Sequence, residues 1–357
     1  MMIKNIQALR ALAVMVVVLG HLQPLAQQVH PLLTWVGLGR AGVDLFFVIS
    51  GFIMVYTTER EAPSAAQFAL RRLIRIVPLY WVVTLGVFAL AILAPGLLGA
   101  SRPEPVWLVK SLAFVPFDKG DGTTNPLIPV GWTLNYEMFF YACFAIALLI
   151  PRRSVSYVVA AAVIGGLGLV GFGQTFTEVL VNFYTRPILV EFALGIVLGL
   201  LFKRLPILSG TRSAQLGLAA LLLLVVALAA SGFAREEALR VAVAGTASVC
   251  VVGLALMLER GGWAVRNPLT LLIGNASYAI YLTHMFVTQA FIIAARKVGA
   301  SDPVSSTLFL LAALFASVVA GVVMFLLYER PVARLLRGLV APRPVSVGPQ
   351  SPAPTPQ

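Results

Sequence analysis

Leu216-Gly-Leu-Ala-Ala-Leu-Leu-Leu-Leu-Val-Val-Ala-Leu-Ala-Ala230 contains no charged side chain and no alternation of apolar with polar positions. A strand of a transmembrane β-barrel alternates with period two, so this run does not read as one. It is apolar on every side, the pattern of a helix surrounded by lipid. Comparable runs recur along the chain, and about 20 apolar residues cross a hydrocarbon layer roughly 30 Å thick. Of 357 residues, 59% are hydrophobic and 11% charged, against about 25% charged in an ordinary soluble domain. Mean hydropathy is +0.93. A disordered chain needs the opposite balance. The fold class is therefore all-α, a polytopic membrane protein with about ten transmembrane helices.

The expected spans cover 6–25, 42–58, 76–95, 130–150, 155–173, 184–202, 213–232, 240–258, 269–294 and 305–328. The net charge of +12 comes from Lys and Arg at the ends of these runs, and most fall on one side. That bias favours N-in and C-in and leaves no soluble basic face for nucleic acid. Cys143 and Cys250 lie inside apolar runs, as small buried hydrophobes without metal-site spacing. No metal is expected. A lone Lys4 followed by Arg10 does not make a cleavable signal. The outer connection 96–129 holds Trp107 to Val115, too short to span and suited to a re-entrant or interfacial segment. Residues 1–339 form one transmembrane domain, and 340–357 form a Pro-rich disordered cytoplasmic tail.

Ionisable groups inside spans each cost roughly 2.5–3.5 kcal/mol at the centre on insertion scales, so each needs a partner or a job. Arg10 and His21 are eleven residues apart, close to three helical turns, so they share a face and lie ~16 Å apart along the axis. One reading is a snorkelling Arg with a packing His; the other is a functional stripe. Asp44, near the outer start of the second span, is expected at the depth of His21, where its carboxylate could orient the imidazole. Alternatively it caps that helix. Gly51 and Ser50 suit close helix packing. Arg72 and Arg75, three apart, share a face, and planar guanidinium groups bind phosphate bidentately. Such a cluster is also ordinary positive-inside decoration. Asn135, Tyr136 and Glu137 open the fourth span, with Glu137 expected in the layer of His21 and Asp44, apart from the arginines. In the ninth span His284 follows Tyr281 at i+3 on the face of Asn275 and Tyr278.

Several motifs occur here in a fixed order. Arg10 precedes His21 by ten intervening residues, and Gly42-Val43-Asp44 leads into Ser50-Gly51-Phe52. There follow Arg72-x-x-Arg75, Gly131-Trp132-x-Leu134-x-Tyr136-Glu137, Ser277-Tyr278 through His284, and Tyr328-Glu329-Arg330-Pro331. In these the chain resembles the acyltransferase-3 family of integral-membrane sugar O-acyltransferases, including exopolysaccharide acyltransferases. The likeness runs from Ile3 to about Leu339. It implies ten membrane helices in the bacterial cytoplasmic membrane, with an acyl-CoA donor (acetyl-CoA most commonly) on the cytoplasmic side. It further implies a polysaccharide or lipid-linked glycan as acceptor, and makes the equivalents of Arg10, His21, Arg72 and Arg75 essential.

On this basis coenzyme A phosphates are expected at Arg10, Arg72 and Arg75. His21, oriented by Asp44, is expected to act as general base on a sugar hydroxyl. Asn135, Tyr136, Glu137, Tyr281 and His284 are expected around the sugar or the developing oxyanion. The rival reading is a carrier or flippase for a lipid-linked glycan or small anion, because buried charges also mark transport paths.

Overall fold

The computed structural model describes residues 3–30, 38–93, 104–120, 122–233 and 236–340. Among them the secondary structure is helical throughout. Helices α1 (Lys4–His21), α2 (Gln23–Val29), α3 (Leu38–Glu61) and α4 (Ala65–Leu93) open the chain, and α5 (Pro105–Leu112) and α6 (Trp132–Ala147) follow. Next come α7 (Arg153–Val170), α8 (Val179–Tyr184), α9 (Leu189–Leu201), α10 (Thr211–Phe233), α11 (Glu237–Arg240) and α12 (Thr246–Arg260). The chain then forms α13 (Pro268–Asn275), α14 (Ser277–Lys297), α15 (Pro303–Met324) and α16 (Arg330–Val340). Seven helical stretches are long and apolar enough to cross a membrane, and α1 with α2, bent by 75° at Leu22, makes an eighth if counted as one. The helix α6 and the apolar stretch Thr211–Ala227 of α10 are shorter.

Among the boundaries that differ from expectation, three have local reasons. The first expected span, 6–25, ends at His21 because Pro24, in the first turn of α2, starts a new helix. The third begins at Ala65 rather than 76, so Arg71, Arg72 and Arg75 all lie on α4, which continues through Pro78. The ninth, 269–294, divides at Ala276, where φ is −81° and ψ is 0°, and α14 starts afresh at Ser277.

The centre of the bundle is α3, packed between α1 and α9. Two glycines permit this. A Cβ on Gly42 would stand 2.5 Å from the Ala13 carbonyl oxygen of α1, and one on Gly51 would stand 2.2 Å from the Phe192 carbonyl oxygen of α9. Without a hydrophobic force between helices in lipid, close backbone approach supplies the association. Around this contact Phe47 stacks on Phe192 at 4.3 Å, and Phe140 stacks on Phe192 at the same distance. The outward faces are apolar: Leu221, Leu222, Val225 and Val226 of α10 and Phe315 of α15 are exposed. Cys143 is half-buried, whereas Cys250 sits on an exposed face, so the expected burial holds for neither in full.

Within the outer connection, α5 lies against α4. Trp81 donates its indole N–H to the Leu112 carbonyl at 3.0 Å, and Tyr80 stacks on Phe114 at 4.6 Å. The Leu127 amide donates to Ser111 Oγ at 3.0 Å. These contacts draw the chain inward, so the 3₁₀ turn Pro129–Gly131 that leads into α6 is buried at Val130 and Gly131. Residues 94–103 of that connection, and the tail from 341 onward, lie outside the described residues.

Candidate active site

Five helices enclose a cavity of about 270 Å³. Helix α1 supplies Gln7 and Arg10, α3 supplies Phe46, Ser50 and Thr57, and α4 supplies Arg72 and Arg75. The lining is completed by Thr133, Glu137 and Tyr141 of α6 and by Ser277, Tyr278 and Tyr281 of α14. Arg10 of the α1 stripe, the Arg-x-x-Arg pair on α4 and the serine–tyrosine start of α14 thus converge on one space. Its volume falls slightly below the roughly 300–1,000 Å³ of sites that enclose a whole drug-sized ligand, so it suits part of a long one.

Arg10 and Arg72 are each aimed by neighbours. Arg10 donates from Nη2 to Ser277 Oγ at 2.8 Å and from Nη1 to Gln7 Oε1 at 3.3 Å. Arg72 donates from Nη2 to Thr57 Oγ1 at 3.0 Å. Its guanidinium also lies between the Phe68 and Tyr141 rings, 5.3 and 5.7 Å from their centroids. Stacking of this kind holds the planar fork in one orientation. Tyr278 donates its hydroxyl to the Ile76 carbonyl at 2.7 Å, tying α14 to α4 beside Arg75.

Glu137 is in this cavity, not in a layer with His21. Its Oε1 accepts from Ser50 Oγ at 3.2 Å and from the Tyr141 hydroxyl. The turn before α6 is buried at Val130 and Gly131, and α6 brings Glu137 to Ser50 of α3. Glu329, at the end of the π turn Phe325–Glu329 that follows α15, lies near Arg10 and Arg75. Three guanidinium groups and the Glu137 carboxylate therefore line the space, a net positive charge suited to an anion.

The expected contact between Asp44 and His21 is absent. Asp44 is fully buried, its Oδ1 accepts from Arg240 Nη1, and its Oδ2 has no hydrogen-bond partner among the described residues. Arg186 pairs with Glu237 at 2.6 Å beside this ion pair, and Glu191 lies in the same buried cluster. A buried guanidinium takes a carboxylate wherever helix packing presents one, because an unpaired charge there is costly. Arg240 belongs to none of the motifs read from the sequence, and the pairing was not legible there.

His21 stands at the C-terminal end of α1, half-buried, with its ring 5.0 Å from that of His284. Neither histidine lines the cavity just described. Between them and it stands Tyr281, whose ring is 5.9 Å from His284 and 6.3 Å from Phe46. The Tyr281 hydroxyl lies 2.8 Å from Thr133 Oγ1 and donates to the Val130 carbonyl at 3.0 Å. Tyr136, expected at the sugar, belongs to the core instead: its ring stacks on Phe183 at 4.1 Å and its hydroxyl donates to the Phe183 carbonyl at 2.8 Å. Asn135 is buried with both amide atoms unpartnered among the described residues. Ser277, Tyr141, Thr57 and Gln7 were not singled out from sequence as site residues. Only the Ser277-Tyr278 start of α14 carried a signal, through its place in the motif series.

An integral-membrane bundle with three arginines converging on a largely apolar cavity, and a histidine three turns from one of them, defines the class. The acyltransferase domain family matches residues 3–328, and the chain belongs to this acyltransferase-3 family. The exopolysaccharide production protein ExoZ of Rhizobium meliloti (strain 1021) is 35% identical over 83% of this chain and 90% of its own length. The acyltransferase MdmB of Streptomyces mycarofaciens is 28% identical over 87% of this chain and 84% of its own. No solved structure matches the chain. The protein is a membrane acyltransferase related to exopolysaccharide acyltransferases.

Proposed function

We propose that the protein moves an acyl group, acetyl in the simplest case, from cytoplasmic acyl-coenzyme A to a hydroxyl of an exported or lipid-linked polysaccharide. The setting is the bacterial cytoplasmic membrane. The observation that carries this reading is the convergence of Arg10, Arg72 and Arg75 on one cavity whose far wall, Tyr281, adjoins the His21–His284 pair. Phosphates of the donor bind the guanidinium groups, which recognise such oxygens in bidentate fashion. The thioester arm then runs up the α1 stripe, ~16 Å from Arg10 to His21 at 1.5 Å per residue. Tyr281 stands across that route and must swing aside, releasing Thr133, for the arm to reach His21. Glu137 holds Ser50 and Tyr141 on the donor side, and Asn135, with its amide unengaged, is the group left for the acceptor sugar.

His21 acts as general base. It takes the proton of the sugar hydroxyl while the oxygen bonds to the thioester carbon. The carbon–sulfur bond then breaks, and the proton leaves on the coenzyme A sulfur. Similarity to an exopolysaccharide production protein supports the acceptor class. Buried general bases contribute about 10²–10⁴-fold, so His21→Ala should lower transfer by at least ~100-fold in purified protein given labelled acetyl-CoA and a candidate glycan. Donor binding should persist in that variant. Turnover near wild type in His21→Ala rejects the base, and glycan movement without acylated product rejects the enzyme.

A further inference from the structure

With Asp44 engaged by Arg240, the ring beside His21 is another histidine. His284 lies on α14 and is fully buried. Its Nδ1 stands 2.6 Å from the Tyr281 carbonyl oxygen and 3.2 Å from that of Ile280. A carbonyl oxygen only accepts, so the proton of the neutral ring is on Nδ1. Nε2 then carries a bare lone pair, buried and unpartnered among the described residues. Leaving such an acceptor unsatisfied is unfavourable. Two rings adjoin His284, those of Tyr281 and His21. The hydroxyl of Tyr281 is already committed to Thr133 and Val130. His21 is the neighbour with an N–H to give.

We propose that His284 is the positioning residue of His21, an inference that rests on the general-base reading above. Nε2 of His284 accepts the N–H of one His21 nitrogen and so keeps the lone pair of the other turned to the acyl acceptor. Rotation of the His21 ring, at the end of α1 beside the 75° bend, closes the hydrogen bond. The backbone of α14 sets the tautomer of His284, and His284 in turn sets the tautomer of His21. Second groups of this kind orient the histidines of metal and triad sites as well, where the partner is often a carboxylate. Here the partner is neutral. During transfer the proton moves from the sugar hydroxyl to the free nitrogen of His21 and from there to the departing sulfur, while His284 gains and loses none.

The chain has three histidines, which permits a direct test on the full-length protein in lipid. With ¹⁵N-ring-labelled histidine, and His30→Asn to assign the third residue, His284 should show a protonated Nδ1 and an unprotonated Nε2. That Nε2 resonance should shift in His21→Ala. An unmoved resonance overturns the pairing whatever the activity. Kinetics give a second readout. His284→Phe keeps ring volume without the acceptor, and should lower kcat about 100-fold with KM for acetyl-CoA unchanged. His284→Gln, whose amide oxygen can accept in place of Nε2, should restore at least a tenth of wild-type kcat. Equal loss in the two variants makes His284 merely structural and overturns the proposal. Full transfer by His21→Ala defeats the general-base reading instead, and leaves the resonance result standing.

Discussion

Single residues carry the chemistry here through what their neighbours leave free. Arg10 and His21 were legible as a stripe because helical periodicity alone puts positions eleven apart on one face. What each of them meets was not legible. Arg10 meets Ser277, on a helix more than 260 residues later in the chain, and His21 meets His284. Arg72 and Arg75 are held differently, Arg72 by Thr57 and two aromatic rings and Arg75 at the cavity wall. Charge-assisted hydrogen bonds contribute about 1.5–3 kcal/mol each. Arg72→Ala with Arg75→Ala should therefore raise the Kd for coenzyme A at least ~10-fold by calorimetry, with little change in melting temperature. Unaltered affinity removes these two residues from the donor site.

Helix positions decided which buried charges became partners. Asp44 on α3 and Arg240 on α11 are separated by 196 residues, yet both are almost completely buried and bonded to each other. Breaking a buried ion pair by removing one partner costs about 3–5 kcal/mol, because the other charge is left uncompensated. Arg240→Ala should thus destabilise the protein by that order in a denaturation series, and Asp44→Leu combined with Arg240→Leu should recover much of the loss. If Asp44→Asn instead lowers kcat while leaving stability intact, Asp44 acts on the reaction and the structural assignment fails. Glu137 makes a related point. Its hydrophobic flanks predict a span start, but the packing of neighbouring helices sets which groups its carboxylate meets, Ser50 and the arginines of the cavity.

For the molecule as a whole, topology and reaction are linked. In the proposed reaction, a donor from the cytoplasm and an acceptor from the far side meet only if the arginine cavity opens inward. The excess of Lys and Arg on one side predicts N-in and C-in. A reporter that works only outside the cytoplasm should stay silent when fused after Pro331. Activity at that position reverses the orientation and places the arginine mouth on the wrong side for coenzyme A. The distance from Arg10 to His21, ~16 Å along α1, suits the same arrangement, since under the proposed mechanism one helix supplies both the anchor and the base.

The helical class, the membrane setting and the motif order that marks the family were all present in the sequence, because they depend on composition, run length and local spacing. The tertiary structure alone decided that Asp44 belongs to Arg240, that Tyr136 is core, that Glu137 sits with the arginines and that His284 stands beside His21. The reason is geometric. Periodicity specifies which face of its own helix a residue occupies, but not the rotation and shift of one helix against another. Those come from close contacts such as Gly42 on Ala13 and Gly51 on Phe192, and they determine which buried charges and rings meet.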